Sequence, residues 1–497
     1  VEQNDFAWGT SSRSSKMVHG GLRYIAQGEL ALTRDSVRER QFLLDNQPGL
    51  VEPLPFLYPH YQGEFPGPWA FAGVLWLYDL FAGKTFRQFH PPWQVPMLAG
   101  GLQPDGLKGA SQFQDAVTDD SRLVLHVLTE ARALGACVVN YLRVLERLYD
   151  DGLDAADSPT ERHVSGVRIE DSLTGEQFEL SCQALAQATG VWTDASSLSQ
   201  QQQYIRPLRG SHLLLPGWRL PVSQSVSFKH PVDGRLMFIF PWEGATVIGT
   251  TDIDHLDDLD QEAAISQAEV DYLLAGCDKV FPSAQITEQD VLSTWSGVRP
   301  IVAKSTASKD NPSAESREHV VWVEPGCVSL AGGKLTTFRL LALEMLQACS
   351  IFNGCSMQAA PKVQRWAESP SADHCLVGLS SSVQRRLYGR YRANWPAFCA
   401  VFNEVGPQQV STTPIFWAEL AYACEHELVI HLDDLLLRRT RFALLLAQGG
   451  VALIEQLREL CQPRLGWDDQ RWAQEVQRYL IIYQRFYSLP RAGQVSL

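Results

Sequence analysis

Apolar residues recur at helical spacing in several parts of the chain. From Asp119 onward, Leu123, Val124, Val127, Leu128, Ala131 and Leu134 repeat every three or four positions until Gly135, which predicts an amphipathic helix. Residues 36–46 read the same way, with Arg38, Glu39 and Arg40 set among Val37, Phe42, Leu43 and Leu44; Pro48, Pro53 and Pro55 then predict a loop. Strand patterns occupy residues 138–144, 164–169 and 178–185, the last two forming a hairpin around Thr174-Gly175. A second hairpin joins residues 236–240 and 246–249 around Glu243-Gly244. After Thr337 comes a helix carrying Leu340, Leu341, Leu343, Leu346 and Ala348. From about residue 360 the pattern is helical, at 383–391, 415–425, 434–446 and 472–487. Strands interleaved with helices suit an α/β nucleotide-binding layer, and the hairpin-rich middle suits an antiparallel layer. The last part reads as a separate helical domain. Its stripe of Trp472, Tyr479, Tyr483 and Phe486, set among Arg471, Arg478 and Arg485, predicts packing on that domain; a membrane surface is the alternative.

Composition narrows the picture. A chain of 497 residues supports two or three domains, and 45% apolar content excludes wholesale disorder. A net charge of −14 argues against nucleic acid as a partner, while leaving room for a local basic pocket. The ten cysteines are scattered without a C-x-x-C pair, so reduced thiols in a cytosolic setting are expected, with neither a zinc site nor a disulfide framework. The polar opening Val1-Glu-Gln-Asn-Asp5 does not read as a signal peptide. The most apolar stretch, residues 65–78, is shorter than the roughly 20 residues a spanning helix needs, and Pro66 and Pro68 break its start. A buried helix or a surface-dipping segment is expected there.

Two segments carry chemistry. Thr10-Ser-Ser-Arg-Ser-Ser-Lys16 precedes His19-Gly-Gly-Leu-Arg-Tyr24, and Gly332-Gly-Lys-Leu-Thr-Thr337 lies far downstream. Hydroxyl and basic side chains ahead of a glycine pair suit an anion at a helix start, where free N–H groups attract phosphate, and glycines let backbone approach a flat ligand. Alone, such a loop is a generic phosphate cradle or an ordinary capped helix. The pair resembles the FAD-dependent glycerol-3-phosphate dehydrogenases of the D-amino-acid-oxidase-like superfamily. The resemblance continues at Gly106-Leu-Lys-Gly109, Asp119-Asp-Ser-Arg-Leu123, Ala188-Thr-Gly190, Gly210-Ser-His212, Gly249-Thr-Thr-Asp252, Gly297-Val-Arg-Pro300 and Asp433-Asp-Leu-Leu-Leu-Arg-Arg-Thr-Arg441.

The resemblance implies an α/β architecture: a Rossmann-like FAD-binding domain over 1–350, with an antiparallel substrate region interleaved at roughly 50–105 and 203–300, and a helical domain over 360–497. It implies oxidation of sn-glycerol 3-phosphate to dihydroxyacetone phosphate, with a quinone as acceptor, on the cytoplasmic face of a bacterial inner membrane. A homodimer is left open. An oxidase passing electrons to oxygen would share nearly every block. No G-x-G-x-x-G occurs, and Val1-Glu2 stands where the family has the end of its second strand. The expectation is therefore a chain lacking roughly thirty residues, one βαβ start. On that view a flavin-free remnant is a further alternative.

The same resemblance distributes roles. Glu2 is the ribose acid. Thr10, Ser11, Ser12, Ser14, Ser15, Lys16, Gly20, Gly21, Gly190, Gly332, Gly333, Lys334, Leu335 and Thr336 are cofactor residues. Oxidising a phosphorylated alcohol needs cations for phosphate and a base for the hydroxyl proton, with the carbon hydride facing the flavin. Arg23, Arg299 and Arg317 are the planar phosphate forks, Arg299 with a catalytic part, and His19 and Tyr24 complete the substrate set. Lys334 can stabilise negative charge on the reduced flavin or a substrate oxygen. His212 is the expected general base, since histidine titrates near working pH. No His/Cys/Asp/Glu spacing implies a metal.

Overall fold

The computed structural model describes residues 1–26, 28–150, 162–193, 204–303, 319–354 and 376–490. Its largest sheet has ten strands. The main path runs through Met17–Val18, Leu107–Thr118, Val51–Tyr61, Ser225–Lys229, Leu236–Trp242, Ala245–Gly249, Tyr204–Pro216 and Ile253–Asp254. Strand Ser293–Ala303 pairs antiparallel along Tyr204–Pro216, with His212 opposite Trp295 and Arg299 opposite Leu208. Ser225–Lys229 runs parallel to Val51–Tyr61, while the other pairings in this sheet are antiparallel. A smaller sheet sets Leu185–Gln187 parallel to Cys327–Ala331, which also pairs with Val320–Glu324. A third is the meander Leu142–Tyr149, Val164–Asp171, Gln177–Ser181, whose second turn is the hairpin expected at Thr174-Gly175.

Alternation along a strand explains the layering. In the run Leu213-Leu-Leu215, Leu213 and Leu215 face a core shared with helix Gln267–Val280, through Val270, Leu273 and Cys277. Leu214 faces the opposite core, where Phe56, Phe240, Trp242 and Trp295 meet Leu435, Phe442, Tyr479 and Tyr483 of the C-terminal helices. The C-terminal region is therefore bound to the back of the large sheet by a continuous apolar core. The aromatic stripe of Asp469–Phe486 is part of it: Trp472, Tyr479 and Tyr483 are buried. These positions settle the choice between core and membrane surface for that stripe.

Three local expectations are corrected. Residues 51–61 are a strand, not a loop, although they contain Pro53, Pro55 and Pro59. The three prolines share one parity, so the N–H groups they lack fall on one side, and pairing with Leu107–Thr118 proceeds on the other. The strand expected at 138–144 begins only at Leu142, because Tyr141 adopts φ 60° and turns its hydroxyl to Asp434 at 2.7 Å. The helix expected at 434–446 is a π-helical turn, Asp434–Arg439, then a break at Arg441 (φ 62°), then Phe442–Leu445. Three arginines there turn to buried carboxylates, and their bonds replace regular helical winding. Seven cysteines are free thiols among the described residues, but Cys399 is disulfide-bonded, against the all-reduced expectation.

The stretch Leu335–Phe352 is long and apolar enough to cross a membrane by length and composition, with mean hydropathy 1.3. In this fold it docks on the mixed three-stranded sheet, with Met345 and Cys349 packed against Val328. The segment at 65–78 becomes helix Pro68–Ala82, one side of which packs on the sheet through Phe71, Leu75 and Tyr78.

Candidate active site

Strand register places the buried His212 between Gly249 on one neighbouring strand and Trp295 on the other. Its ring stacks on Trp295, with centroids 4.9 Å apart and planes 15° apart, and lies over Gly249, where a β-carbon would collide with it. Its Nε2 is 2.8 Å from Ser15 Oγ, so the hydroxyl-rich loop and the antiparallel sheet meet at this pair. Burial, then the charges of Arg299 and Lys16, hold the imidazole well below the usual histidine range. His212 is therefore neutral at neutral pH, the form a proton acceptor needs.

Arg299 lies flat across Gly210, which has no room for a side chain beneath the guanidinium. It donates to Asp252 Oδ1 at 2.9 Å and to Thr250 Oγ1 at 3.2 Å. Arg235 reaches the other Asp252 oxygen at 3.2 Å. Two guanidiniums thus meet one carboxylate. Their side chains stay 18% and 12% exposed, so an incoming anion can reach them. Arg235 and Asp252 were not singled out in the sequence. Asp252 ends a matched block and could have been noticed, whereas Arg235 sits in an ordinary Asp233-Gly234 turn with no signal.

The glycine motifs converge elsewhere. Gly190 follows strand Leu185–Gln187, and Gly332-Gly333 follow Cys327–Ala331, so both lie beyond the carboxyl ends of the two parallel strands. That is where α/β sheets bind dinucleotides. All three glycines have positive φ (60°, 80° and 85°), and a β-carbon on Gly190 would meet open space. Thr336 Oγ1 accepts from His19 N at 3.1 Å and donates to His19 O at 3.0 Å, which joins the two motifs. The Lys334 ammonium sits 4.3 Å from the centre of the buried Tyr24 ring. Gly20 N donates to Asp115 Oδ1 at 3.1 Å, a carboxylate also held by Arg40 and Tyr78. Leu335 packs beside Val18 and Leu43. Glu2 is bracketed by backbone bonds to Val139 and Leu142, and burial raises its carboxyl above the ordinary range. The donors and glycines present fit FAD.

Within the Thr10–Lys16 run the side chains divide. Thr10 donates to the Val298 carbonyl, Ser11 is exposed, and Ser15 meets His212. Ser12 is buried. Ser14 donates from N (3.0 Å) and Oγ (2.7 Å) to Asp120, and the Lys16 ammonium is committed to the same carboxylate at 2.9 Å. Those two side chains thus have interior partners; burial lowers the Lys16 ammonium to about 8. Helix Leu22–Ala26 carries Arg23, whose side chain, like the whole of Arg317, lies outside the described residues. Among the described residues no cluster of three His, Cys, Asp or Glu could hold a metal.

Fold and site together define an FAD-dependent oxidoreductase, and residues 1–339 match the FAD dependent oxidoreductase family; residues 329–472 match the C-terminal domain of alpha-glycerophosphate oxidase. An aerobic glycerol-3-phosphate dehydrogenase of Staphylococcus epidermidis is 30% identical over 469 residues, 88% of this chain and 81% of that one. Its counterpart in Staphylococcus haemolyticus is 29% identical over 470 residues with the same coverage. The structure of the Bacillus halodurans glycerol-3-phosphate dehydrogenase complexed with FAD superposes with a TM-score of 0.74 at 25% identity, covering 100% of this chain and 90% of that one. The chain belongs to the FAD-dependent glycerol-3-phosphate dehydrogenase family.

Proposed function

We propose that this chain oxidises sn-glycerol 3-phosphate to dihydroxyacetone phosphate with FAD and passes the electrons to a quinone at a membrane surface. The observation that carries this is the buried neutral His212, bonded to Ser15, beside the partly exposed guanidiniums of Arg299 and Arg235. Bound FAD supplies the hydride acceptor. Glu2 would hold its ribose, Gly190 and the Gly332–Thr336 turn its middle, and the Thr10–Ser15 and His19–Gly21 turns the side facing the sheet. Those two guanidiniums bind the phosphate, with Arg23 and Arg317 in the roles that family membership gives them. His212 Nε2 takes the C2 hydroxyl proton, exchanging its Ser15 bond for one to substrate. Lys334, steadied on Tyr24, balances negative charge that develops opposite.

Membrane docking is supported by the outward side of helix Pro68–Ala82. Trp69, Ala70, Ala72, Gly73, Trp76 and Leu80 are exposed there, Trp69 at 92%. Phe65, Phe89, Trp93 and Met97 are also exposed on neighbouring segments. Tryptophan at such positions prefers the lipid–water interface.

Anaerobic single-turnover bleaching of the flavin tests the chemistry. Glycerol 3-phosphate should bleach it, His212→Gln should slow bleaching by about 10²- to 10⁴-fold, and substrate affinity should change far less. Bleaching by the variant at wild-type speed would reassign the base, with His19 the next candidate. Mixing reduced enzyme with quinone and with oxygen separates dehydrogenase from oxidase. Trp69→Ser with Trp76→Ser should release the protein from liposomes.

A further inference from the structure

Asp119 and Asp120 are adjacent, fully buried carboxylates, and the C-terminal region supplies the cation that bridges them. Arg441 donates Nε to Asp119 Oδ1 at 3.0 Å and one terminal nitrogen to both Asp120 and the Ser12 carbonyl, the latter at 3.0 Å. Asp120 in turn collects Ser14 N, Ser14 Oγ and the Lys16 ammonium. Lys16 has φ 58°, a conformation uncommon for a residue with a side chain, so this turn needs holding. Two further ties come from the same side of the molecule. Tyr487 Oη accepts from Arg13 Nε at 3.2 Å, and Trp295 Nε1 donates to the Ser14 carbonyl at 3.1 Å. The residue this turn delivers outward is Ser15, the partner of His212.

We propose that Arg441 is a positioning residue for the active site: acting through Asp120, it sets the Ser12–Lys16 turn that presents Ser15 to His212 and the loop backbone to the cofactor. The C-terminal helical region is then a strut for the flavin loop as well as a cap on the sheet. The Lys16 ammonium also bonds the Ser12 carbonyl and Asp120, but Arg441 adds Asp119, reached by Nε while a terminal nitrogen meets Asp120 and Ser12, a spread that one ammonium nitrogen does not offer. The step from loop to cofactor rests on the FAD assignment above; the step from Arg441 to loop does not.

The test compares R441M and R441K with R464M, which breaks the Glu404 and Glu425 pairs elsewhere in the same region. Hydrogen exchange of a peptide covering residues 10–18 is read together with FAD affinity. In R441M that peptide should exchange about tenfold faster or more, and FAD should bind about tenfold more weakly, with R441K intermediate. R464M should lower Tm without altering either quantity. Wild-type protection of the peptide in both Arg441 variants overturns the proposal. Faster exchange with unchanged FAD affinity keeps the strut and overturns the flavin assignment of the loop. If R441M does not fold, R441K against R464M decides by the same two readouts.

Discussion

Two of the clusters in which a pair of arginines converges on one aspartate, at Asp5 and at Asp252, differ in access to solvent. Asp5 receives Arg439 through two bonds of 2.7 Å and Arg438 through its Nε, with all three side chains essentially fully buried. Asp252 receives Arg299 and Arg235, whose side chains remain partly open. In the first cluster Asp433 and Asp434 add further negative charge around Arg438. In the second, one aspartate serves two arginines that keep part of their side chains exposed. The same residue types thus make a joint between regions in one place and, under the proposed function, an anion receptor in the other.

Removing the aspartate should separate the two most sharply. Asp5→Ala leaves two buried guanidiniums without their shared carboxylate and should destabilise the fold by about 3–5 kcal/mol, read as a lowered urea midpoint. Asp252→Ala removes a buried carboxylate too, but its arginines keep 12% and 18% of their side chains exposed and can draw on water, so the loss should be smaller than at Asp5. Equal losses would erase the distinction between joint and receptor. Next in size, Arg299→Ala removes a charge-assisted contact of about 1.5–3 kcal/mol. Glycerol 3-phosphate affinity should fall about 10- to 100-fold with unphosphorylated glycerol hardly affected, both measured by titration of flavin reduction.

Acid should act on the joint. Burial alone would raise the Asp5 carboxyl, but Arg439 and Arg438 hold it down to about 2. Its folded value lies below the unfolded one, so its stabilisation of about 2 kcal/mol is complete above about pH 4 and lost as pH falls through 2. Denaturation midpoints of wild type and Asp5→Asn should therefore converge at the acid end. The smallest effect concerns the receptor. Burial first, then Arg299 and Lys16, depress the His212 imidazole, so the acid limb of flavin reduction should lie below 6.5. Arg299→Gln should move that limb upward, but only partway, since burial persists. A limb already at 6.5 in wild type would mean that His212 is not the titrating base.

Element types were legible where periodicity was long. The helix capped by Asp119, the hairpins at Thr174-Gly175 and Glu243-Gly244, and the buried stripe of Asp469–Phe486 all follow from spacing in the chain. Pro53 and Pro55 of Val51–Tyr61 misled because a proline's effect depends on which edge of the strand it faces, which is a property of the partner. Ser15 and His212 were each named, for cofactor and for catalysis, but nothing local joins two residues 197 positions apart.

The sequence by itself determined the family and the alternation that sends Leu213 and Leu215 to one core and Leu214 to the other, because these follow from ordered motifs and a period of two. Only the tertiary structure decided which arginines are buried among carboxylates and which keep contact with solvent. Arg299 and Arg441 both stand in matched blocks, and both are flanked by ordinary neighbours in the chain. Arg441 meets carboxylates brought to it by a distant helix start and is buried with them, whereas Arg299 shares Asp252 with Arg235 and keeps part of its side chain exposed. Charge is a property of the residue, but the pairing of that charge is set by whatever the fold places within about 4 Å of it.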